Sequence, residues 1–576
     1  MGNQQKTNYM QFLHVTGYAE AYRELIPKDT LSFVSDYSTG TLLIRLSKIN
    51  AMLFQQMDNR MIDPQILREA VFCDVTGFEQ VTEFRPLFTD ERRWFAEGPI
   101  GLLIMDLLKN FKIIETLAPI EPLEFARNLF KTILVYNDLY YGRPRGIVLE
   151  SLEGIFMMET MQQGYLRAKG VMKVDTFGRF LFLSKFLDSD ELLREEADMY
   201  CEKMKIENPW TFAKFFLAVL ASAMHPQNWG NHMLDLSHHW PEKLMREFGT
   251  DPTELAGKEK VSLNMDVVTK PFLFLTPEKI LVLDYNFFQY ALENGFLYSL
   301  YRHSSGKLRA KFKTYENFKA YIALEFFEKH LVGSLLSEIF HKRSQQLIST
   351  EKYQDFIVRA SSCDVFVFEV KMNDLHPNTF ENLDYKAFTE DFLDKRFLSD
   401  KGNGAKDKGV AQIIKQLGHL SEPNSELREK LGIKRSEKTN IYPVIICSEH
   451  HMNIAGVNHY LNEGFQQRSQ YLKGRFQSIK PLTVVHIDFL IRYFGPLKRN
   501  SALFTEWLSG YHRSKKGLEK LYDEKGGPIT YLLSKRSLFG YMEMKKDFPS
   551  PYKATVDEIE RCFDLETKGV WKALGI

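Results

Sequence analysis

Asp364-Val-Phe-Val-Phe-Glu-Val-Lys371 contains an unbroken apolar run, Val365 to Phe368, at both side-chain parities. That pattern suits a strand covered on both faces, inside a sheet rather than at its rim. Glu369 and Lys371 are two residues apart and point to the same face of such a strand. Burying charge is costly unless the groups are paired or bind a metal. The stretch thus places an acid and a lysine together at the mouth of a sheet, where metal-assisted phosphodiester hydrolysis can be built. A strand-end salt bridge without chemistry is the plain alternative.

The residues upstream extend the pattern. Asp355-Phe-Ile-Val-Arg359 reads as a second short strand, and Ser361-Ser362-Cys363 as a tight reversal. In an antiparallel hairpin with this three-residue loop, residue 360 faces 364 and Asp355 faces Glu369. Directly opposed residues share a face, and two like charges that close repel unless a cation sits between them. The loop has no glycine for a left-handed position, so a slip of one residue is the competing register. Asp364 is the rival acid, but its parity is opposite to that of Glu369.

The chain as a whole is compatible with this chemistry. Its 576 residues are too many for one core, and two to four domains are expected. With 44% apolar and 26% charged residues it reads as an ordinary globular protein, and 45 Phe and 26 Tyr supply large cores. A net charge of +1 gives no global attraction to nucleic acid, so binding must come from local patches. The cysteines Cys73, Cys201, Cys363, Cys447 and Cys562 are scattered without zinc spacing, which suits a reducing cytoplasm. The first residues have no secretory apolar core, and Lys6 breaks a myristoylation pattern. The apolar stretch Phe212 to Met224 is too short to span a bilayer and predicts a buried helix.

An α/β organisation follows. Residues 1–315 read as a mostly helical region for sensing, partner binding or substrate selection, with a short strand pair at Phe272–Leu275 and Lys279–Asp284. Residues 316–495 alternate helices with apolar strands: a helix over Thr314–Lys342, the hairpin, helices over Tyr385–Leu398 and Val410–Leu420, a strand at Ile441–Cys447, a helix over Gly456–Lys473 and a strand at Leu482–Asp488. This order predicts a mixed sheet covered on both faces. Residues 496–576 read as a small helical tail.

Asp355 followed by Glu369-x-Lys371 on the next strand, in this order of elements, resembles the PD-(D/E)XK, or restriction-endonuclease-like, nuclease superfamily. The resemblance covers residues 316–490. Gln354 stands where the family usually has proline before the first acid. The resemblance implies a Mg²⁺-dependent endonuclease acting on DNA, with Mn²⁺ as a substitute, in prokaryotic defence against phage or foreign DNA. It implies that Asp355, Glu369 and the carbonyl of Val370 hold the metal, an oxygen-seeking cation. Lys371 would position or help deprotonate the attacking water. Glu328, on the helix before the first strand, would orient a water; Glu338 is the second choice, ten residues away and unable to reach the same ion. Gln412 and Gln416 share a helix face and, with Lys401, Lys406 and Lys408, are candidates for contacting the nucleic-acid backbone. Expected partners are DNA or RNA, a protein bound through the N-terminal region and a second copy of the chain, with no membrane. Two readings compete with a DNA nuclease: an inactive nuclease-like binding or assembly subunit, and an RNA-directed nuclease.

Other constellations carry less. His225, His232, His238 and His239 have irregular spacing and read as polar loops, as do Cys447, His450 and His451. Gly402, Gly404 and Gly409 lack the Gly-Lys-Ser/Thr ending of a Walker A loop and read as a mobile lysine-bearing segment. Lys307–Lys313 and Arg513–Lys516 read as solvated basic surface.

Overall fold

The computed structural model describes residues 15–55, 62–77, 93–112, 121–142, 148, 150–166, 172–224, 233–235, 241–276, 278–285, 290–349, 355–373, 375, 379, 384–399, 408–545, 558–559 and 561–563. It is a mixed α/β protein whose packing divides it into two units. The first comprises residues 1–146, 164–173 and 195–304; the second comprises 147–163, 174–194 and 305–576. This division differs from the expected boundaries at 315 and 495. Two stretches of the N-terminal half join the second unit, and so does the C-terminal region.

In the first unit helices surround a small mixed sheet. Its strands are β1 (Met233–Asp235), β2 (Gly249–Thr250), β3 (Phe272–Phe274) and β4 (Lys279–Val282), in the order β1-β4-β3-β2. The expected strand pair is β3 and β4, joined antiparallel. The helix Pro209–Met224 buries Phe212, Phe215 and Phe216, in keeping with its apolar sequence. No described helix is long and apolar enough to cross a membrane.

The second unit is organised by a larger mixed sheet of β5 (Gln346–Ile348), β6 (Phe356–Arg359), β7 (Asp364–Lys371), β8 (Asn440–Cys447), β9 (Ser478–Ile479) and β10 (Thr483–His486). The order is β10-β8-β7-β6-β5, with β9 also on β8. β7, β8 and β10 run parallel, while β5, β6 and β7 are antiparallel neighbours. β7 is central, and its six residues from Val365 to Val370 are all buried, as a run apolar at both parities requires. β5, a short strand of three half-buried residues, has too little apolar content to stand out in the sequence.

The two faces of β7 are covered differently. Phe366 and Phe368 share one parity and stack at 5.6 Å; Phe504 stacks on both, at 5.3 and 6.3 Å. Tyr442 and Phe340 meet Phe366 at 4.9 and 5.7 Å. Phe504 belongs to the helix Ala502–Lys525. The C-terminal region is therefore one wall of the core rather than a tail. The helix Val410–Ser421 also packs on β7, with Val410, Ile413, Leu417 and Leu420 buried.

Phe366 has no exposed surface and lies at the centre of this stack. Phe366→Ala is expected to lower the unfolding free energy of the second unit by about 3–5 kcal/mol, the usual cost of a large aromatic cavity. Urea unfolding of the two proteins measures it. A loss below about 1 kcal/mol would mean that the aromatic stack does not hold the C-terminal helix to the sheet.

Candidate active site

The hairpin register places the acids. Phe356 pairs with Phe368 and Arg359 with Val365, so the pairing continued by one residue sets Asp355 opposite Glu369. The turn achieves this without glycine. Ser361 Oγ accepts the backbone N–H groups of Cys363 and Asp364 at 3.3 and 3.0 Å, and Ala360 N donates to Asp364 O at 2.9 Å. A serine hydroxyl thus closes the turn that a left-handed glycine would otherwise make. Asp364 is engaged at the far end of the strand, where it accepts hydrogen bonds from Ser361 Oγ and Asn440 Nδ2 at 2.8 and 3.1 Å.

Four ionisable groups converge beyond the turn. Glu369 is fully buried and forms an ion pair with Lys371. Asp355 Oδ2 accepts the Val370 backbone N–H at 2.6 Å. Lys371 Nζ donates to Gln412 Oε1 at 3.3 Å, and the same oxygen accepts the Gly409 N–H at 2.8 Å. Glu328 lies close enough for its charge to act on Asp355, Glu369 and Lys371. It sits in Ile322–Gly333, where the helix widens to i→i+5 hydrogen bonding, a local irregularity frequent at functional sites.

These neighbours set the protonation. Burial, then the charge of Asp355, pushes Glu369 up to about 8 against the pull of Lys371. Burial and Asp355 push Glu328 up to about 7. Burial also raises Asp355, against Lys371 and the Val370 N–H. For Lys371 burial favours the neutral amine, but Glu369 and Asp355 outweigh it and hold the ammonium above its usual range. Three carboxyls facing one ammonium keep protons between them near neutral pH, as closely coupled acids do.

This donor set fits a hard divalent cation. Glu369 Oε2 is buried and receives no hydrogen bond, and a second carboxylate faces it across the hairpin. An oxygen-seeking ion would satisfy both acids and release their protons. Gly409, where the chain enters the helix bearing Gln412, has φ +52°, and a Cβ there would lie 2.7 Å from the Phe397 carbonyl oxygen. Only glycine accommodates both constraints.

Several expected residues lie elsewhere. Glu338 pairs with Lys498, leaving Glu328 as the helix glutamate of this cluster. Gln416 is buried and its Oε1 has no hydrogen-bond partner, so it does not present itself to a bound nucleic acid. Lys408 lies at the start of the helix Val410–Ser421, while Lys401, Lys406, Gly402 and Gly404 lie outside the described residues, as do His225, His232, His238 and His239. Lys515, expected on a solvated patch, is buried, and desolvation lowers it to about 8. Within Lys307–Lys313, Leu308 and Phe312 are buried, and Lys311 lies over the rings of Phe312 and Tyr321. Cys447, His450 and His451 are also buried rather than displayed on a loop. Arg179, His486 and Asp488, absent from the expectations above, cluster with His450. The signal was present in His486-Ile-Asp488, polar groups closing an apolar strand as Glu369 and Lys371 do. Comparisons of the chain with family models, curated proteins and solved structures find no match.

The raised glutamates give a pH prediction. A carboxyl raised in the folded state holds its proton there while the unfolded chain has lost it. Stability of the metal-free protein therefore falls as pH rises from about 4.5 towards 8. Thermal melts in EDTA should show Tm declining over this range, with a flatter profile in Glu369→Gln. Mg²⁺ should restore Tm more at pH 8 than at pH 6. An equal Mg²⁺ effect at both pH values would mean that these acids do not hold the ion.

Proposed function

We propose that the second unit is a restriction-endonuclease-like domain that hydrolyses phosphodiester bonds of DNA with Mg²⁺, for which Mn²⁺ substitutes. The observation that carries the reading is Asp355 set opposite a fully buried Glu369, with Lys371 and Glu328 against them. Central β7 between antiparallel β6 and parallel β8 supports it. Asp355, Glu369 and the Val370 carbonyl would hold the ion. When bound, it supplies Lewis-acid polarisation of the phosphate and a more acidic water.

The chain's own groups divide the remaining work. Lys371, held as an ammonium, is suited to offsetting phosphate charge as it develops and is poorly suited to removing a proton. Glu328, at about 7, is the acceptor in the appropriate range. Gln412 steadies the ammonium while capping its own helix. The resemblance implies, for such an enzyme, a role in prokaryotic defence against phage or foreign DNA.

Cleavage of plasmid, linear duplex, single-stranded DNA and RNA in Mg²⁺, Mn²⁺ or EDTA tests the proposal. Duplex DNA should be cut with metal and spared in EDTA. Glu369→Ala and Lys371→Ala should each lose about 10²–10³-fold or more in rate. Cutting confined to RNA would reassign the substrate. Intact substrate under every condition, with metal binding abolished, would leave a nuclease-like binding module.

A further inference from the structure

A second cluster of metal-ligand side chains lies apart from the acids. We propose that His450, His486 and Asp488 form a binding site for a divalent transition-metal ion of the zinc class. The three are buried, and one donor atom from each lies within 4.8 Å of the others. They come from the turn His450–Asn453 after β8, the last residue of β10 and the first turn of the helix Ile487–Arg492. Four donors bound tetrahedrally at about 2.0–2.1 Å lie about 3.4 Å apart, so modest side-chain shifts close the set. Two imidazoles and one carboxylate favour a borderline ion over Mg²⁺, leaving a fourth position for water.

Hydrogen bonds to both ring nitrogens orient His486. Its Nε2 lies 2.9 Å from the Ser448 carbonyl oxygen, which can only accept, so Nε2 carries hydrogen. Its Nδ1 has one lone pair, which accepts the Asp488 backbone N–H at 3.2 Å, a long bond that a metal ion would have to replace. Asp488 Oδ2 stands 3.3 Å from that Nδ1. Either a proton on Nδ1 or a metal ion would join these two groups. A ring N–H given to a backbone carbonyl is also how metal-binding histidines are commonly oriented.

The surrounding charges hold Asp488 ionised, but its Oδ1 has an ion-pair neighbour and no hydrogen bond. Arg179 Nε is 3.3 Å from Asp488 Oδ1, which accepts no hydrogen bond, and Arg179 Nη2 is 3.4 Å from His450 Nε2. Well-seated charge-assisted contacts lie near 2.7–2.9 Å. The neighbouring Arg492–Asp175 pair achieves this at 2.7 Å, with Glu543 3.5 Å from Arg492. An entering ion would share Asp488 with Arg179, while Arg492 keeps its own partner.

Co²⁺ titration of the full chain, followed by its d–d absorption, tests the site. Wild type and Glu369→Ala should each show one equivalent with the intense bands of tetrahedral coordination, any ion at the oxygen ligands of the first site adding only weak absorption. His450→Gln and Asp488→Asn should bind at least about tenfold more weakly with unchanged circular dichroism. Both spare the His486 imidazole that caps its helix. Elemental analysis of the wild type provides a readout independent of any variant's folding. Absence of tetrahedral bands in wild type, or bands retained in His450→Gln, would overturn the proposal and leave a buried Arg179–Asp488 ion pair. Binding lost in Glu369→Ala alone would assign the ion to the first site.

Discussion

A carboxylate with no exposed surface on the central strand is the constraint around which the second unit is arranged. Glu369 tolerates that position because Lys371 returns to it along the same face and because β7 is closed in on both sides. Each condition fixes something else. The ion pair needs both residues on one face, and the pleat supplies that. The closed strand needs a parallel neighbour, β8, and an antiparallel one, β6, and β6 in turn delivers Asp355 to the same end. Taking ionised groups out of water costs several kcal/mol each, and protons retained by Glu369 and Glu328 avoid part of that cost.

Much of this was legible because strand chemistry repeats every two residues. Val365–Phe368 announced a buried strand, and the pairing of residue 360 with 364 was enough to set Asp355 against Glu369. Ser361 did the work of the absent glycine through its side chain, an interaction that local spacing does not reveal. The choice of Glu328 over Glu338 depended on Lys498, far away in the chain. Gln416 illustrates the same limit: its helix face was read correctly as shared with Gln412, yet burial decides what a face meets.

The domain boundaries were harder to read for a related reason. Helical periodicity marks an apolar face without saying which partner covers it. Phe504 looked like part of a terminal helix, and the rings it stacks on, Phe366 and Phe368, are more than a hundred residues earlier. Likewise Asp175 and Arg179 lie in a helix of the N-terminal half, but their ion-pair partners are Arg492 and Asp488. A charged helix face seen alone reads as solvated, and here its charges are neutralised across the fold.

The parallel ladder has a further consequence. Lys371, Cys447 and His486 stand side by side in register at the carboxyl ends of β7, β8 and β10. Neighbouring strands are about 4.8 Å apart, so the outer two are separated by about 10 Å. Mobile salt would weaken an exposed interaction over that span, but Cys447 between them is buried and admits no ions. The sheet therefore acts as a dielectric spacer between two charged clusters. Charge added at the His486 end would act on the Lys371 end through protein rather than through salt solution.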